Sequence, residues 1–106
     1  MVKQLSVDTP GQGQHNITAQ VAALVRGTKE GLCTVFLRHT SASLVIQENA
    51  DPAVLRDLDR WMADAAPESR RWEHDAEGPD DMPAHVKSVL IGSSVSVPIQ
   101  QGKLAL

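Results

Sequence analysis

The sequence predicts an α+β fold in which mainly antiparallel β-sheets pack with two or three flanking helices. Some stretches place apolar residues at helical spacing, and others alternate apolar and polar residues with a period of two. The length of 106 residues fits one domain with a single core, so residues 1–106 are predicted to form one domain. Residues 73–85 hold two histidines and five carboxylates without aliphatic periodicity, and we expect this polar loop to carry the chemistry.

The first half of the chain predicts a weak strand, a helix and a pair of strands. Residues 2–7 alternate weakly, and residues 18–29 have helical spacing with Thr18 as a possible N-cap. Residues 32–39 are apolar on both alternations, which predicts a strand covered on both faces. Residues 44–46 are expected to form a second strand that pairs antiparallel with it.

In the strand of residues 32–39, the period of two puts four side chains in one row: Cys33, Val35, Leu37 and His39. His39 therefore ends a buried row, where a polar group is held rigidly and still meets solvent. Cys33 is the only cysteine and cannot form an internal disulfide, so it is predicted to be a buried free thiol.

The second half predicts two helices and a hairpin. Asp51 followed by Pro52 is a strong helix start, and Pro67 ends that helix. A second helix is expected from Met82 to Leu90, stopped by Gly92. Alternation in residues 93–99 predicts a strand, Gln101 and Gly102 a hairpin turn, and residues 103–106 the start of another strand. Because the sequence stops there, we expect truncation or completion of that strand in an oligomer.

Composition excludes several function classes. The net charge of -3 and a pI near 5.7 disfavour nucleic acid and anionic membranes as partners, since both favour a basic face. The apolar runs are far shorter than the ~20 residues of a membrane span, and no signal-peptide hydrophobic region is present. The chain is therefore predicted to be cytoplasmic.

Motifs along nearly the whole chain resemble the YjbQ family of small proteins. They are, in order, Leu-Arg-His-Thr-Ser-Ala-Ser-Leu at 37–44, Gln-Glu-Asn at 47–49, His-Asp-Ala-Glu-Gly-Pro-Asp-Asp-Met-Pro-Ala-His-Val-Lys-Ser at 74–88, Ile-Gly-Ser-Ser at 91–94 and Gly-Lys-Leu at 102–104. The resemblance implies a YjbQ-like α+β fold, a homotrimer with sites near subunit boundaries, and a secondary thiamine-phosphate synthase activity. Family members usually continue with a strand bearing Gly-Thr-Trp-Gln, which this sequence lacks.

The histidines of these motifs predict a shared site. Three imidazoles with one open position suit a catalytic Zn²⁺, so His39, His74 and His85 are predicted to be metal ligands. The resemblance and this chemistry together predict catalytic roles for His39, Asn49, His74, Asp75 and His85. Substrate-binding roles are predicted for Thr40, Ser41, Glu48, Asp80 and Lys87. A solvated loop histidine, or a core histidine at His39, is the competing interpretation.

The carboxylates of the polar loop leave three interpretations open. Asp80 or Asp81 caps the helix that starts near Pro83, Asp75 orients the imidazole of His74, or the group holds Mg²⁺ against a pyrophosphate. Hydroxyls in residues 40–43 and 93–94 either bind phosphate oxygens or make local turns. Lys87 and Arg38 are the basic side chains expected near the site, which is few for a pyrophosphate pocket.

The leading hypothesis is therefore a transferase. It joins hydroxymethylpyrimidine diphosphate to thiazole phosphate and releases pyrophosphate, with a divalent metal, Zn²⁺ or Mg²⁺, at the leaving group. The alternatives are a Zn²⁺-dependent hydrolase of a small phosphorylated metabolite and a non-catalytic trimeric protein that binds metal or metabolite. The expected partners are a small phosphorylated metabolite and further copies of the chain, with no nucleic acid and no membrane.

Overall fold

The computed structural model describes residues 1–48 and 50–106. Its elements in chain order are α1 (Thr18–Leu24), β1 (Gly31–Phe36), α2 (Pro52–Ala65), α3 (Asp81–Ile91), β2 (Ser94–Gln100) and β3 (Lys103–Leu104). Within these ranges the strands form a three-stranded sheet in the order β1-β2-β3. The three helices and this sheet confirm the predicted α+β class.

The chain divides into two compact units. One combines Met1–Val35 with Ser96–Leu106, and the other is Phe36–Val95. This division does not test the predicted single domain, which stays a prediction. In the described part of the chain, each helix falls short of the length and apolar character needed to cross a bilayer.

The hairpin of β2 and β3 in the first unit confirms the alternation seen in the sequence. Ile99 pairs with Leu104, and Gln100 pairs with Lys103, in antiparallel register. The two turn residues between these pairs, Gln101 and Gly102, have φ values of 51° and 78°. Positive φ at both central residues is the geometry whose twist matches the flanking strands.

The core of the first unit is small and aliphatic. Its buried side chains are Val21, Val25, Val97 and Ile99, each 9% exposed or less.

Helix α1 begins at Thr18 as predicted, but Thr18 is not its N-cap. Ile17 holds that position without a side-chain bond, and the Asn16 side chain accepts the Thr18 N–H at 2.9 Å. The helix ends at Leu24, five residues before the predicted end, and Gly27 follows it with a φ of 90°, a conformation that does not continue a helix.

Strand β1 differs from the prediction in its covering and its partner. The predicted two-sided burial is wrong: Leu32 is 66% and Phe36 is 65% exposed, while Cys33 is half-buried. The predicted partner at residues 44–46 is also wrong, since these residues form no strand and β2 lies next to β1 instead. The side chains of Thr34 and Ser96 are joined at 2.9 Å. Residues 2–7 do not form the predicted weak strand either.

The second unit carries the two longer helices, and both predictions are confirmed. In α2 the Asp51 side chain accepts the Ala53 N–H at 2.9 Å, and Pro52 is the first helical residue. Helix α3 begins one residue before the predicted Met82 and ends at Ile91, and Gly92 stops it with a φ of 99°. Pro83 is fully buried, so packing around its ring helps to hold the start of α3 in place.

Candidate metal centre

The loop that follows β1 is anchored at both ends to the residues that follow α3. The Leu37 N–H donates to the Ser93 carbonyl at 2.8 Å, and the Leu44 N–H donates to the Gly92 carbonyl at 3.1 Å. Residues 38–43 therefore form a loop tethered beside the C-terminal end of α3. At its centre, the Thr40 carbonyl accepts a hydrogen bond from His85 Nδ1 at 2.7 Å.

The loop before α3 is shaped by a tight turn. The Gly78 N–H donates to the Asp75 carbonyl at 3.3 Å, and Gly78 has a φ of 110°. The positive φ favours glycine here, and a Cβ at this position would lie 3.0 Å from Asp80 Oδ1, so that side chain would have to shift. The turn brings His74 back to the first residue of α3.

His74, Asp81 and His85 form a cluster around one carboxylate oxygen. His74 Nε2 lies 2.7 Å from Asp81 Oδ2, and His85 Nε2 lies 3.1 Å from the same oxygen. Asp81 and His85 are four residues apart on α3, which places them on one face of the helix. The two imidazole rings meet edge to face, with centroids 5.6 Å apart and an interplanar angle of 74°.

The hydrogen bond to Thr40 determines which nitrogen of His85 carries a proton. A backbone carbonyl only accepts, so His85 Nδ1 must be the donor. In the neutral ring, Nε2 then presents a lone pair toward the carboxylate oxygen of Asp81. Two acceptors at 3.1 Å require a proton or a cation near both of them. The contact therefore marks a position that favours positive charge.

The electrostatics of His74 and Asp81 agree with this requirement. The hydrogen bond with Asp81 raises the pKa of His74 above its ordinary value of 6.5, against a smaller opposing effect of desolvation, and the charges of Asp81 and Glu77 also contribute. The hydrogen bond from His74 lowers the pKa of Asp81 below its ordinary value of 3.8, with partial opposition from desolvation. The carboxylate is thus held ionised beside a readily protonated imidazole.

These three side chains also fit a divalent metal. One ligand atom from each lies within 4.8 Å of the others. Tetrahedral bonds of about 2.0–2.2 Å to a central ion place ligand atoms about 3.4 Å apart, so side-chain shifts are enough to bring all three atoms to one ion. The bond from His85 to a backbone carbonyl is the arrangement that usually orients a metal-ligating histidine. Side-chain exposure of 42% at His74, 19% at Asp81 and 30% at His85 leaves access for an ion.

The structure gives His39 different neighbours. Its Nδ1 accepts the Ser41 N–H at 2.9 Å and lies 3.1 Å from Ser41 Oγ. His39 is exposed and does not end a buried row, which corrects that prediction. It is outside the cluster of His74, Asp81 and His85, so its predicted metal role stays a prediction. Because Nδ1 accepts, the proton of the neutral ring is on Nε2.

The other predicted site residues are spread along the second unit. The Glu48 N–H donates to the side chain of Gln47, Asp80 holds the N-cap position of α3, and Lys87 is half-buried on α3. Asp75 contributes its carbonyl to the turn, while Asp81 and Glu77 are the carboxylates in contact with His74. Asn49 lies outside the described residues. The assignments of these residues stay predictions.

The contact of Asp81 with the two histidines was missed from the sequence, where Asp81 was considered as a cap or as part of an acidic Mg²⁺ site. The spacing of Asp81 and His85 was the available signal, because residues four apart share one helical face.

The basic side chains of Arg70 and Arg71 were also missed. They precede the polar loop and line, with Trp72 and His74, an open concavity of about 280 Å³. A neighbouring concavity of about 550 Å³ is lined by Trp72, Glu73, His74 and Met82.

Comparison with known proteins gives consistent matches. The family model described as UPF0047 protein YjbQ-like matches residues 3–106. A UPF0047 protein from Synechocystis is 52% identical over 105 residues, covering 96% of this chain and 71% of the relative. The UPF0047 protein YjbQ from Salmonella typhimurium is 38% identical over 107 residues, covering 98% of this chain and 78% of the relative.

Solved structures agree with these sequence matches. A conserved hypothetical protein from Thermus thermophilus superimposes with a TM-score of 0.88 at 39% identity, covering 99% of this chain and 81% of that one. An uncharacterised conserved protein of the yjbq/upf0047 family from Clostridium acetobutylicum gives a TM-score of 0.86 at 36% identity, with the same coverage of both chains.

Proposed function

Because the chain belongs to the UPF0047 YjbQ-like family, we propose that it is a metal-dependent enzyme acting on a small phosphorylated metabolite. The proposed reaction transfers a hydroxymethylpyrimidine group from its diphosphate to a thiazole phosphate. The bond from the pyrimidine methylene carbon to the diphosphate oxygen breaks, a bond from that carbon to the thiazole nitrogen forms, and pyrophosphate leaves. The observation that carries the metal dependence is the convergence of His74, Asp81 and His85.

Each residue of the cluster has a separate part in holding the ion. His74 and His85 offer imidazole nitrogens, and Asp81 offers a carboxylate oxygen. The Thr40 carbonyl keeps the lone pair of His85 Nε2 directed to the centre. A bound divalent ion would stabilise the negative charge that develops on the leaving diphosphate.

His39 is proposed as a hydrogen-bond donor to substrate. The Ser41 N–H occupies Nδ1 of His39, so the exposed ring presents Nε2–H to solvent. An N–H group of this kind is suited to a phosphate oxygen or to a leaving group that gains charge. Thr40 lies next to His39 in the chain and contacts His85, which keeps this loop tied to the cluster.

The donor set favours a second reaction class. Two imidazole nitrogens with one carboxylate suit Zn²⁺ or a similar transition metal better than Mg²⁺, which prefers oxygen ligands. Three protein ligands with an open position are typical of catalytic zinc sites that activate water. A zinc-dependent hydrolase of a small phosphorylated metabolite is therefore the alternative proposal.

We also propose that the chain assembles as a homotrimer, as its family resemblance implies. Large apolar side chains exposed in the Phe36–Val95 unit support self-association: Phe36, Val45, Ile46, Trp61, Val89 and Leu90, all more than half exposed. Light scattering coupled to gel filtration tests this proposal, with a mass of three chains as the expected result.

One set of measurements separates the proposed activities. Protein purified without added metal is analysed for bound metal, then assayed with both thiamine precursors and, separately, with phosphorylated metabolites alone. Metal-dependent formation of thiamine phosphate supports the transferase, and hydrolysis with stoichiometric zinc supports the hydrolase. If neither product forms at any metal concentration, the enzymatic proposal is rejected.

A further inference from the structure

The segment between α2 and the metal cluster forms a structured turn around an indole ring. The Arg70 N–H donates to the Pro67 carbonyl at 3.3 Å, and Trp72 Nε1 donates to the same carbonyl at 3.0 Å. These two bonds hold the half-buried indole of Trp72 against Pro67, two residues beyond the end of α2. The ring is therefore held as a platform, and the backbone at Arg70 is bonded to the same carbonyl.

Arg70 lies over this platform. Its guanidinium carbon is 5.0 Å from the centroid of the Trp72 ring, within the range of a cation–π contact. In the described part of the chain, neither Arg70 nor Arg71 has a carboxylate within 4 Å of its guanidinium nitrogens. Stacking restrains the Arg70 side chain and leaves its N–H donors available, so less entropy is lost when a ligand binds.

Both arginines line the concavity of about 280 Å³ that His74 also lines. Since His74 belongs to the metal cluster, this concavity borders the proposed metal site. Glu68 and Asp75 line this concavity too. Two carboxylates balance two guanidinium groups, so the wall attracts anions in general only weakly. A ligand that binds here with useful affinity must therefore accept hydrogen bonds directly from the guanidinium groups.

We infer that Arg70 and Arg71 form a subsite for the phosphate or diphosphate group of the substrate, adjacent to the metal held by His74, Asp81 and His85. Guanidinium groups present planar forks that match phosphate oxygens, and one stacked on an aromatic ring is already oriented. This inference rests on the proposed function, because it assigns the place where the anionic part of the substrate binds.

Titration calorimetry of the full chain with inorganic pyrophosphate tests the subsite. The protein carries one equivalent of Zn²⁺, and Arg70→Ala, Arg71→Ala and Arg70→Lys are compared with the parent. Loss of a charge-assisted hydrogen bond predicts that each alanine variant weakens pyrophosphate binding about tenfold or more. Arg70→Lys is expected to recover part of the affinity, since it keeps the charge and loses the fork. The matched control is Arg56→Ala, an exposed arginine on α2.

Metal affinity is measured for every variant and is expected to stay unchanged. The subsite is rejected if the arginine variants bind pyrophosphate as tightly as the parent, if Arg56→Ala loses as much affinity, or if weaker binding follows weaker metal binding. Arg71→Ala carries the test if Arg70→Ala fails to fold. The readout is binding and not turnover, so the two proposals fail separately. Arginine-dependent binding without thiamine phosphate formation would leave the subsite and reject the reaction.

Discussion

Helices α2 and α3 both have an aspartate at the N-cap position, and the aspartates at the two helix starts make different contacts. At α2, the Asp51 side chain accepts the Ala53 N–H at 2.9 Å, so the cap satisfies one of the free amides of the first turn. At α3, Asp80 holds the N-cap position without a side-chain bond to the backbone. Its neighbour Asp81 directs a carboxylate oxygen to His74 and His85 instead.

The difference separates an aspartate that caps its helix from one that contacts two imidazoles. A capping bond contributes about 0.5–2 kcal/mol to stability, and α3 forgoes it although two aspartates are available. The buried Pro83 fixes the start of α3 by packing. Asp81 can therefore contact the imidazoles. The start of α3 lacks the stability that a capping bond would add, and it carries a charged cluster instead.

Replacing Asp81 should have the largest effect of the substitutions considered, and the property affected should be metal affinity. Asp81→Asn keeps the shape of the side chain and removes the charge of the oxygen shared by His74 and His85. Even changes to groups that only orient metal ligands cost 10–100-fold in affinity, so we expect a loss of at least about 100-fold. Competition with a zinc-binding dye measures it.

The control for this change is Asp51→Ala at the start of α2. It is expected to leave zinc affinity unchanged, since Asp51 contacts the Ala53 amide. Equal zinc affinity in the parent and Asp81→Asn would reject the metal centre.

The same Asp51→Ala variant gives the next largest effect, on stability. The Ala53 amide loses its acceptor, and the free energy of unfolding is expected to fall by about 1 kcal/mol. Urea unfolding followed by circular dichroism measures the change. Asp51→Asn, which keeps a capping oxygen, is expected to restore most of it. A fall of similar size in Asp51→Asn would show that the charge matters more than the cap.

The fold was predictable where local sequence determines it. The Asp51-Pro52 start, the stop at Gly92 and the hairpin at Gln101-Gly102 depend on backbone preferences within a few residues. The pairing of β1 was not predictable in this way. Residues 44–46 are as apolar as a strand, but choosing a partner far along the chain depends on tertiary packing. Two-sided burial of β1 was inferred from the same apolar pattern and failed for the same reason.

The candidate site was predictable in part. His74 and His85 were expected to converge, and the cluster contains both. Asp81 was hidden because an aspartate at a helix start has an ordinary structural explanation. The motif grouped His39 with them, but in the turn after β1 its ring accepts a hydrogen bond from the Ser41 amide. The arginines before the loop belong to no recognised pattern, and only the fold shows that they line a concavity with His74.

The pH dependence of His74 gives a smaller effect that sharpens the comparison. With its pKa raised by Asp81, protonated His74 stabilises the folded metal-free protein below pH 6.5, and this is lost as the pH rises through the raised value. The lowered pKa of Asp81 adds stability above pH 3.8 that is lost as the pH falls through the lowered value. Nuclear magnetic resonance of the imidazole should give a midpoint above 6.5 in the parent.

In Asp81→Asn the midpoint should move down toward 6.5, because the main hydrogen-bond partner has lost its charge. Asp51→Asn serves as the matched control and should leave it unchanged. Zinc affinity of the parent should rise with pH through the same midpoint, since the metal needs the neutral imidazole. A His74 midpoint that is the same in the parent and Asp81→Asn would contradict the assigned cause.

Replacing Asp80 should have the smallest effect on stability. Asp80→Ala removes a side chain that makes no capping bond, so the free energy of unfolding should change by less than about 0.5 kcal/mol. The same unfolding measurement as for Asp51→Ala makes the two helix starts directly comparable. A loss as large as that of Asp51→Ala would mean that Asp80 caps α3 in solution. If stability holds while the Michaelis constant for a phosphorylated substrate rises, Asp80 contacts substrate as predicted, because a capping role would change stability first.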